Sequence, residues 1–418
     1  MTNDFKPLQG MTDITGVEVL KWQQIEEQAR NIFDTFGYSE LRTPILERSE
    51  VFLHSLGDGS DIIKKEMYVL EDRGGRSLVL RPEGTAGAIR YLASMGEEAN
   101  NLRVYYIGPM FRCERPQAGR KRQFHQIGAE FVSNPNPYAD VESIMLQFEL
   151  LKKWGIKDVK IKINTLGSKY DKKNINQGML KALNKIKNRF PKNYQNRIDE
   201  NVLRVFDWKD EECKKITSGL PLITSFMSED SLTYFNKVNE LLTEIDIEFE
   251  HDPKLVRGLD YYNHTVWEIT HNSLGSQDAI AGGGRYTIQV GKKQINGVGF
   301  ALGIERLILA SDFKREENLI KKNGIWIVSL GEKAIIENMK LSNKIRSLGY
   351  RCGMELENKS IKSQLRKADK FGAKIVLIRG DQELIDNKLI EKNLENGLQQ
   401  EFDLDDWIRI LGEKNASI

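Results

Sequence analysis

Four polar segments of this chain carry arginine, carboxylate and tyrosine side chains that are costly to bury unless they bind something. The segments are 81–85, 106–130, 255–262, and the glycine-rich pair 281–286 and 297–307. Arginine is suited to phosphate and carboxylate groups because its planar fork makes two parallel hydrogen bonds. The chain has no GxxxxGK[ST] loop and no GxGxxG segment after a strand. A bound nucleotide would therefore be held by arginines and a sheet.

Residues 106–130 are predicted to form a long antiparallel hairpin. Strand signals lie at 103–107 and 123–131, and the Pro and Gly residues within 113–122 are typical of a loop. The hairpin places Arg112, Gln126 and Glu130 on strands, and Arg115, Arg120 and Arg122 on the loop. Strand alternation puts Gln126, Gly128 and Glu130 on one face. Because a core-facing strand would be apolar there, this face is predicted to be the floor of a polar ligand site.

Two of the four segments also have simpler explanations. Residues 81–85 (RPEGT) contain the Pro and Gly that make turns. The three glycines 282–284 permit a close backbone approach to a nucleotide, but such a run is more often a bulge or a loop. Either segment taken alone is therefore a weak indication of a binding site.

The composition is that of a globular protein without a membrane segment. The chain has 418 residues, of which 40% are hydrophobic and 29% are charged, and its net charge is +2. No apolar run approaches the ~20 residues that span a bilayer, and the first residues lack the apolar stretch of a signal peptide. Cys113, Cys213 and Cys352 are isolated, which fits neither a disulfide framework nor a zinc site. We therefore expect a cytoplasmic protein with no membrane partner.

The order of predicted elements indicates an α/β chain whose core is a large antiparallel sheet flanked by helices (α+β). A catalytic core is expected at 1–322, with a mostly helical insertion at 169–249, and a charged linker occupies 312–323. Beyond it, strand and helix patterns alternate, which predicts a small α/β domain at 323–418. The individual predictions are helices at 17–36, 139–154, 303–311, 332–348 and 360–371, and strands at 40–42, 77–80, 159–164, 265–270, 297–301, 325–329 and 374–378.

Two stretches are strongly basic despite the low net charge. Residues 169–197 carry nine Lys or Arg against one acid, and residues 359–379 carry seven against one acid. At 100° per residue, a helix over 359–371 places its basic residues on one side and its apolar residues on the other. The basic set is Lys359, Lys362, Arg366 and Lys370, and the apolar set is Ile361, Leu365, Ala368 and Phe371. Such a stripe is either a solvated face or a surface that contacts the RNA backbone.

Together these segments resemble the class II aminoacyl-tRNA synthetases. Residues 42–44 fit the first signature, 111–114 (FRCE) the second, and 303–306 (GIER) the third. Within that class, 81–85, 255–262 and 281–286 are similar to the histidyl-tRNA synthetase family. The resemblance covers essentially the whole chain. It departs from the family pattern at Thr287, where an Asp is usual, and in the short stretch from there to Gly297.

The resemblance implies a two-step reaction and a role for each matching residue. The carboxylate of histidine would attack the α-phosphorus of ATP, and the terminal ribose of histidine tRNA would then accept the histidyl group. The implied histidine-binding residues are Glu83, Gly84, Thr85, Arg112, Gln126, Glu130, Arg257, Tyr261 and Tyr262. The implied ATP-binding residues are Arg112, Arg120 and Arg306, and the catalytic ones are Arg112 and Arg257. The candidate tRNA contacts are Arg115, Gln117, Lys362 and Arg366.

The resemblance also implies cofactors and partners. Mg²⁺ is expected on the pyrophosphate oxygens without a named protein ligand, residues 323–418 would bind the anticodon, and residues 42–44 would lie in a homodimer interface. The alternative is the regulatory subunit of ATP phosphoribosyltransferase, which resembles this core, senses histidine and lacks the last domain. A binding module of the same fold is a third possibility. The intact arginine set and the presence of 323–418 favour the enzyme.

Overall fold

The computed structural model describes residues 5–57, 60, 62–198, 202–208, 210–311 and 324–416. The chain divides into two compact units, Met1–Arg315 and Glu316–Ile418. The predicted linker at 312–323 lies outside the described residues. No helix among the described residues is both long and apolar enough to cross a membrane.

The described part of the first unit contains strands β1 to β11 and helices α1 to α9. The strands are β1 (Ser39–Glu40), β2 (Leu46–Arg48), β3 (Tyr68–Glu71), β4 (Ser77–Leu80), β5 (Arg103–Phe111), β6 (Gln123–Val132), β7 (Val159–Thr165), β8 (Glu250–His251), β9 (Tyr262–His271), β10 (Ala279–Val290) and β11 (Lys293–Gly303). The helices are α1 (Val17–Thr35), α2 (Ser49–Leu56), α3 (Thr85–Met95), α4 (Pro137–Lys153), α5 (Asp171–Ile186), α6 (Lys192–Ile198), α7 (Glu211–Thr217), α8 (Glu229–Glu244) and α9 (Ile304–Ala310).

A large sheet organises the first unit. Its strand order is β1-β5-β6-β11-β10-β9-β7-β8, and only the outer pairs β1/β5 and β7/β8 are parallel. Helices α1, α4 and α8 pack together around one apolar core with the sheet, and α2 and α3 contribute to a second core with it. A smaller antiparallel sheet has the order β2-β4-β3. The predicted fold class, a mostly antiparallel sheet flanked by helices, is confirmed.

The three glycines 282–284 lie in a central strand that has an irregularity of the β-bulge kind directly after them, so of the two simpler expectations, a bulge or a loop, only the loop was wrong. They belong to β10, which pairs with β9 and β11, and its register with β9 shifts between Gly284 and Arg285. A Cβ on Gly283 would overlap the indole of Trp267, and one on Gly284 would crowd the ring of Tyr262. The glycines are therefore needed because large side chains lie against this strand.

The predicted helical insertion at 169–249 contains α5 to α8, which pack in two different places. Helices α5 and α7 share a small core of their own, which includes Ile175, Met179, Trp208 and Cys213. Helix α8 instead packs on α4 and β9 and contributes Phe235 to the main core. A separate helical cluster thus comprises α5 to α7, and the insertion as a domain stays a prediction.

The second unit is a small α/β fold. Its strands are β12 (Gly324–Leu330), β13 (Cys352–Met354), β14 (Ala373–Gly380), β15 (Lys388–Asn393) and β16 (Gln399–Asp403). Its helices are α10 (Glu332–Ser347), α11 (Ile361–Phe371), α12 (Asp381–Ile385) and α13 (Leu404–Ala416). The sheet order is β13-β12-β14-β15-β16, in which the first three strands are parallel and the last three are antiparallel.

Helix α11 carries the predicted basic stripe on its exposed side. Lys362 and Arg366 are exposed, and Ala368 on the opposite side is buried. The prediction was wrong for Ile361, which lies in the first turn and is 42% exposed. The buried position is taken by Gln364, whose amide donates to the backbone oxygen of Ser329 at 2.9 Å. Ser360 is the N-cap of this helix, so Lys359 precedes the helix and is not part of it.

Candidate active site

The segment 81–85 connects β4 to α3 and is fixed at both of its ends. The buried guanidinium of Arg81 donates to the backbone oxygens of Thr43 and Pro109, each at 2.9 Å. The carboxylate of Glu83 accepts from the backbone N–H of Ala86 at 2.7 Å in the first turn of α3. The segment is therefore a bent connection between a strand and a helix that also presents polar side chains to a cavity.

A cavity of about 630 Å³ in the first unit collects most of the predicted site residues. The predicted residues that line it are Glu83, Thr85, Arg112, Arg120, Gln126, Glu130, Arg257, Tyr261, Tyr262 and Arg306. They come from the β4–α3 connection and the start of α3, the β5–β6 hairpin, the segment that leads into the start of β9, and α9. All four segments identified in the sequence therefore meet at one place, and the glycine-rich pair contributes Gly282 and Tyr286 from its first part and Arg306 from its second.

Other predicted residues lie outside the cavity lining. Gly84 does not line it, and a Cβ on Gly84 would overlap the ring of Tyr106. Arg115 and Gln117 are exposed on the loop between β5 and β6, and the backbone of Gln117 pairs with that of Arg120. Lys362 and Arg366 belong to the second unit. Arg112, which was expected on a strand, follows the end of β5.

One region of the cavity is formed by buried carboxyl and amide groups. Glu130 is only 1% exposed, and burial raises its pKa to about 8. Its Oε2 atom and the Oε1 atom of Gln126 are buried and accept no hydrogen bond within the described part of the chain. Burial also raises the pKa of Glu83, although Arg112 acts in the opposite direction. Because buried polar atoms are normally paired, the two unpaired oxygens favour a ligand with N–H groups.

A second region of the cavity is cationic. Arg257 forms an ion pair with Glu268 at 2.7 Å, and Arg120 forms one with Glu114 at 2.8 Å. The Nε–H of Arg306 donates to the backbone oxygen of Gly119 at 3.1 Å, which holds the hairpin loop against α9. Burial, and secondly the nearby Arg120, lower the pKa of Arg306. An arginine is still charged under these conditions, so this region suits an anion with several oxygens.

Three functional candidates were not assigned from the sequence. Tyr106 contacts Glu130, Tyr286 lines the cavity, and Glu268 holds Arg257. The sequence pattern could have indicated Glu268, because a charged residue at this position interrupts the apolar pattern of β9. Arg285, in contrast, lies in a glycine-rich segment but is fully buried in an ion pair with Asp140 at 2.7 Å, outside the cavity lining.

Two features that depart from the family pattern, Thr287 and the short stretch from there to Gly297, have a structural explanation. The hydroxyl of Thr287 donates to the side-chain oxygen of Asn296 and accepts from the amide of Asn263, each at 2.8 Å. Strand β10 ends at Val290 and β11 begins at Lys293, so a two-residue turn joins them, with Gly291 at a φ of 60°. The short segment is therefore a tight hairpin, and Thr287 on β10 is hydrogen-bonded to both neighbouring strands, β9 and β11.

Comparison with known proteins identifies the family. The family model described as histidyl-tRNA synthetase matches residues 10–307, and the model of an anticodon binding domain matches residues 325–414. The chain belongs to the histidyl-tRNA synthetase family. The resemblance inferred from the signature segments is thus confirmed, and within this family the second unit corresponds to the anticodon-binding domain.

Relatives of this synthetase family match the chain over nearly its whole length. The histidine–tRNA ligases of Bacillus velezensis and Bacillus subtilis are 42% and 40% identical to it, over 96% of this chain and 97% of each relative. The apo histidyl-tRNA synthetase of S. aureus is 32% identical, with a TM-score of 0.81 over 98% of this chain and 100% of that one. An ATP phosphoribosyltransferase regulatory subunit/histidyl-tRNA synthetase of Bacillus halodurans C shares the fold, at 21% identity and a TM-score of 0.66.

Proposed function

We propose that this chain is a histidine–tRNA ligase that forms histidyl-adenylate from histidine and ATP and then charges histidine tRNA. The family, and the identity of about 40% to histidine–tRNA ligases over the full length, support the activity. The observation that carries the mechanism is one cavity with unpaired carboxyl and amide oxygens in one region and arginines in another. Histidine has N–H groups for the first region and a carboxylate for the second.

The first region would bind the imidazole and the α-amino group of histidine. Glu130 and Tyr262 would take the two ring nitrogens, since one nitrogen donates and the other accepts. Glu83, Thr85 and Gln126 would hold the amino group, while Tyr261 lines the pocket and donates to Glu83 at 3.2 Å. A site built from such pairs rejects analogues that lack the ring nitrogens, because its own buried groups would be left unpaired.

The second region would stabilise the charge that develops in adenylate formation. An oxygen of the histidine carboxylate attacks the α-phosphorus, and the bond to the pyrophosphate oxygen breaks. Arg112 and Arg257 would contact the α-phosphate and the carboxylate, and Arg120 and Arg306 the triphosphate end. Arg257 is held by Glu268 in the structure, and Gly282 leaves room for its guanidinium, because a Cβ there would crowd it.

Mg²⁺ is proposed as a partner of the ATP phosphates, and no protein ligand is named for it. Among the described residues, no group of three or more His, Cys, Asp or Glu side chains is placed to hold a metal ion. Mg²⁺ that is bound through substrate phosphates and one or two carboxylates does not require such a group.

The partners beyond histidine and ATP are RNA and a second copy of the chain. Arg115 and Gln117 are proposed to contact tRNA from their exposed loop, and Lys362 and Arg366 from the anticodon-binding domain. A homodimer through residues 42–44 and the neighbouring small sheet is proposed as well. We also propose a cytoplasmic location, which is supported by free thiols at all three cysteines.

Histidine-dependent exchange of pyrophosphate into ATP tests the proposed function directly. The unsubstituted chain should catalyse exchange with histidine and charge histidine tRNA. Glu130→Gln keeps the shape of the side chain but replaces a carboxylate, which only accepts hydrogen bonds, with an amide, which both donates and accepts them. Histidine activation should therefore fall by about tenfold or more. A histidine-sensing regulatory subunit would bind histidine without any exchange. Histidine binding without exchange would contradict the proposed ligase activity. Exchange by Glu130→Gln that is as efficient as exchange by the unsubstituted chain would contradict the proposed role of Glu130.

A further inference from the structure

Tyr106 is a buried aromatic side chain on β5 that lies between two glycines. It is 3% exposed, and a Cβ on either Gly84 or Gly128 would overlap its ring. Neither glycine has a positive φ, so backbone conformation does not require glycine at these positions. The two glycines, from the start of α3 and from β6, are instead explained by the space that the Tyr106 ring needs.

The hydroxyl of Tyr106 lies between two residues of the proposed histidine site. It donates to Oε1 of Glu130 at 3.4 Å, and it lies 3.4 Å from the hydroxyl of Thr85. Either hydroxyl can donate in the second contact, so Thr85, Tyr106 and Glu130 form one hydrogen-bonded group. The hydroxyls of Thr85 and Tyr286 also face this carboxyl group, but within the described part of the chain its Oε2 atom, beside Gly299, has no hydrogen-bond partner of normal geometry.

We infer that Tyr106 is a positioning residue for histidine recognition, because its hydroxyl holds one carboxylate oxygen of Glu130 and leaves the other for the imidazole of the substrate. Tyr106 does not line the cavity, so it acts through Glu130 and does not touch the substrate. The same hydroxyl contacts Thr85, and it thereby connects the groups that hold the imidazole with those that hold the α-amino group. This inference rests on the proposed function of the cavity.

The test is Tyr106→Phe, which keeps the ring between the two glycines and removes only the hydroxyl. Loss of a hydrogen bond to a buried carboxyl group should raise the KM for histidine in pyrophosphate exchange by about tenfold. The KM for ATP and the thermal unfolding midpoint should stay close to those of the unsubstituted chain. The matched control is Tyr105→Phe, since this neighbouring hydroxyl donates instead to Glu40 at 3.3 Å. It should leave the KM for histidine unchanged.

A double-mutant cycle separates positioning from simple packing. If Tyr106 acts through Glu130, Tyr106→Phe should change the KM for histidine by less than about twofold in a Glu130→Gln background. Gly84→Ala gives a second test that does not remove the hydroxyl, because its Cβ displaces the ring and should raise the same KM. An unchanged KM for histidine in Tyr106→Phe, or an equal effect in both backgrounds, overturns the inference alone. Absence of exchange in the unsubstituted chain overturns the proposed function instead.

Discussion

Burial determines the protonation of Glu130 in the unliganded protein. Because desolvation raises its pKa to about 8, the carboxyl group is mostly protonated at neutral pH, whereas it would be ionised in the unfolded chain. The groups that face it are the hydroxyls of Thr85, Tyr286 and Tyr106, which lower the pKa, and the carboxylate of Glu83, which raises it. Between the ordinary value and about pH 8, the folded state binds more protons than the unfolded state. The free energy of unfolding therefore falls as the pH rises through this window.

Glu130→Gln should remove this pH-dependent loss of stability. The difference between the unfolding midpoints of the variant and the unsubstituted chain should grow in favour of the variant from about pH 5 to 8 and then level off. Thermal unfolding without ligands at a series of pH values measures it. Glu149→Gln, at an exposed position, is the control and should give a constant difference. A constant difference for Glu130→Gln as well would contradict the raised pKa.

Arg257 is the cation on which the proposed adenylation step most depends. If its guanidinium stabilises charge that grows in the transition state, Arg257→Ala should lower the rate of pyrophosphate exchange by ~10²–10³. The affinity for ATP should change far less, and Arg257→Lys should recover only part of the rate because the planar fork is lost. Exchange kinetics measure both quantities, with the exposed Arg409→Ala of the second unit as the control. A near-normal rate in Arg257→Ala would remove this residue from the mechanism.

At the scale of elements, strand β10 makes several close contacts possible at once. Its three consecutive glycines leave space for the guanidinium of Arg257, the indole of Trp267 and the ring of Tyr262. Two of these neighbours are proposed site residues, and the third belongs to the main core. A single glycine-rich strand therefore couples the packing of the sheet to the position of the site.

Helix α11 provides a test of RNA contact in the anticodon-binding domain. Lys362→Gln with Arg366→Gln removes two charges from its exposed side, so it should raise the KM for tRNA and weaken the salt dependence of charging. Pyrophosphate exchange should stay intact, since that reaction needs no RNA. The matched control is Lys333→Gln with Lys344→Gln on α10, which removes the same charge from exposed positions of the same unit. If charging is unchanged at every salt concentration, the stripe is only a solvated surface.

At the scale of the whole molecule, the small sheet presents an apolar face that supports the proposed dimer. Its register places Leu46, Tyr68, Leu70, Leu78 and Leu80 on one face together with a single charged residue, Arg48, and none of the six is buried. Leu46 and Leu70 are 44% and 47% exposed. An apolar face next to residues 42–44 is suited to pairing with the same face of a second copy.

If the proposed dimer forms through this face, Leu46→Glu with Leu70→Glu should convert it into a monomer, because two charges from each copy would be buried in the interface. Sedimentation equilibrium measures the mass. The control is Ile385→Glu with Leu398→Glu, which places the same charges at exposed apolar positions of the second unit and should leave the mass unchanged. A monomeric unsubstituted chain, or a variant that remains dimeric, would show that this face is not the interface.

The sequence by itself determined the family, the α/β architecture and the identity of four arginines and two carboxyl groups that line the cavity. These follow from local information: helical and alternating patterns predict α1, α10 and β6, and the signature segments are contiguous stretches of a few residues. The period of the pattern also placed Gln126 and Glu130 on one face of β6, where both line the cavity. Side-chain roles carried over from the family remain predictions until the variants are measured.

Only the tertiary structure decided which neighbours those residues have. Tyr261 and Glu83 are 178 positions apart and hydrogen-bonded, and no local pattern encodes such a pair. The same holds for the space that Gly84 and Gly128 leave for Tyr106, and for Gln364, which displaces Ile361 from the buried side of α11. The pKa of Glu130 depends on how completely distant strands exclude water from it. Burial and close approach arise from contacts between segments far apart in the chain, which is why the sequence supplied the groups and the fold supplied their environment.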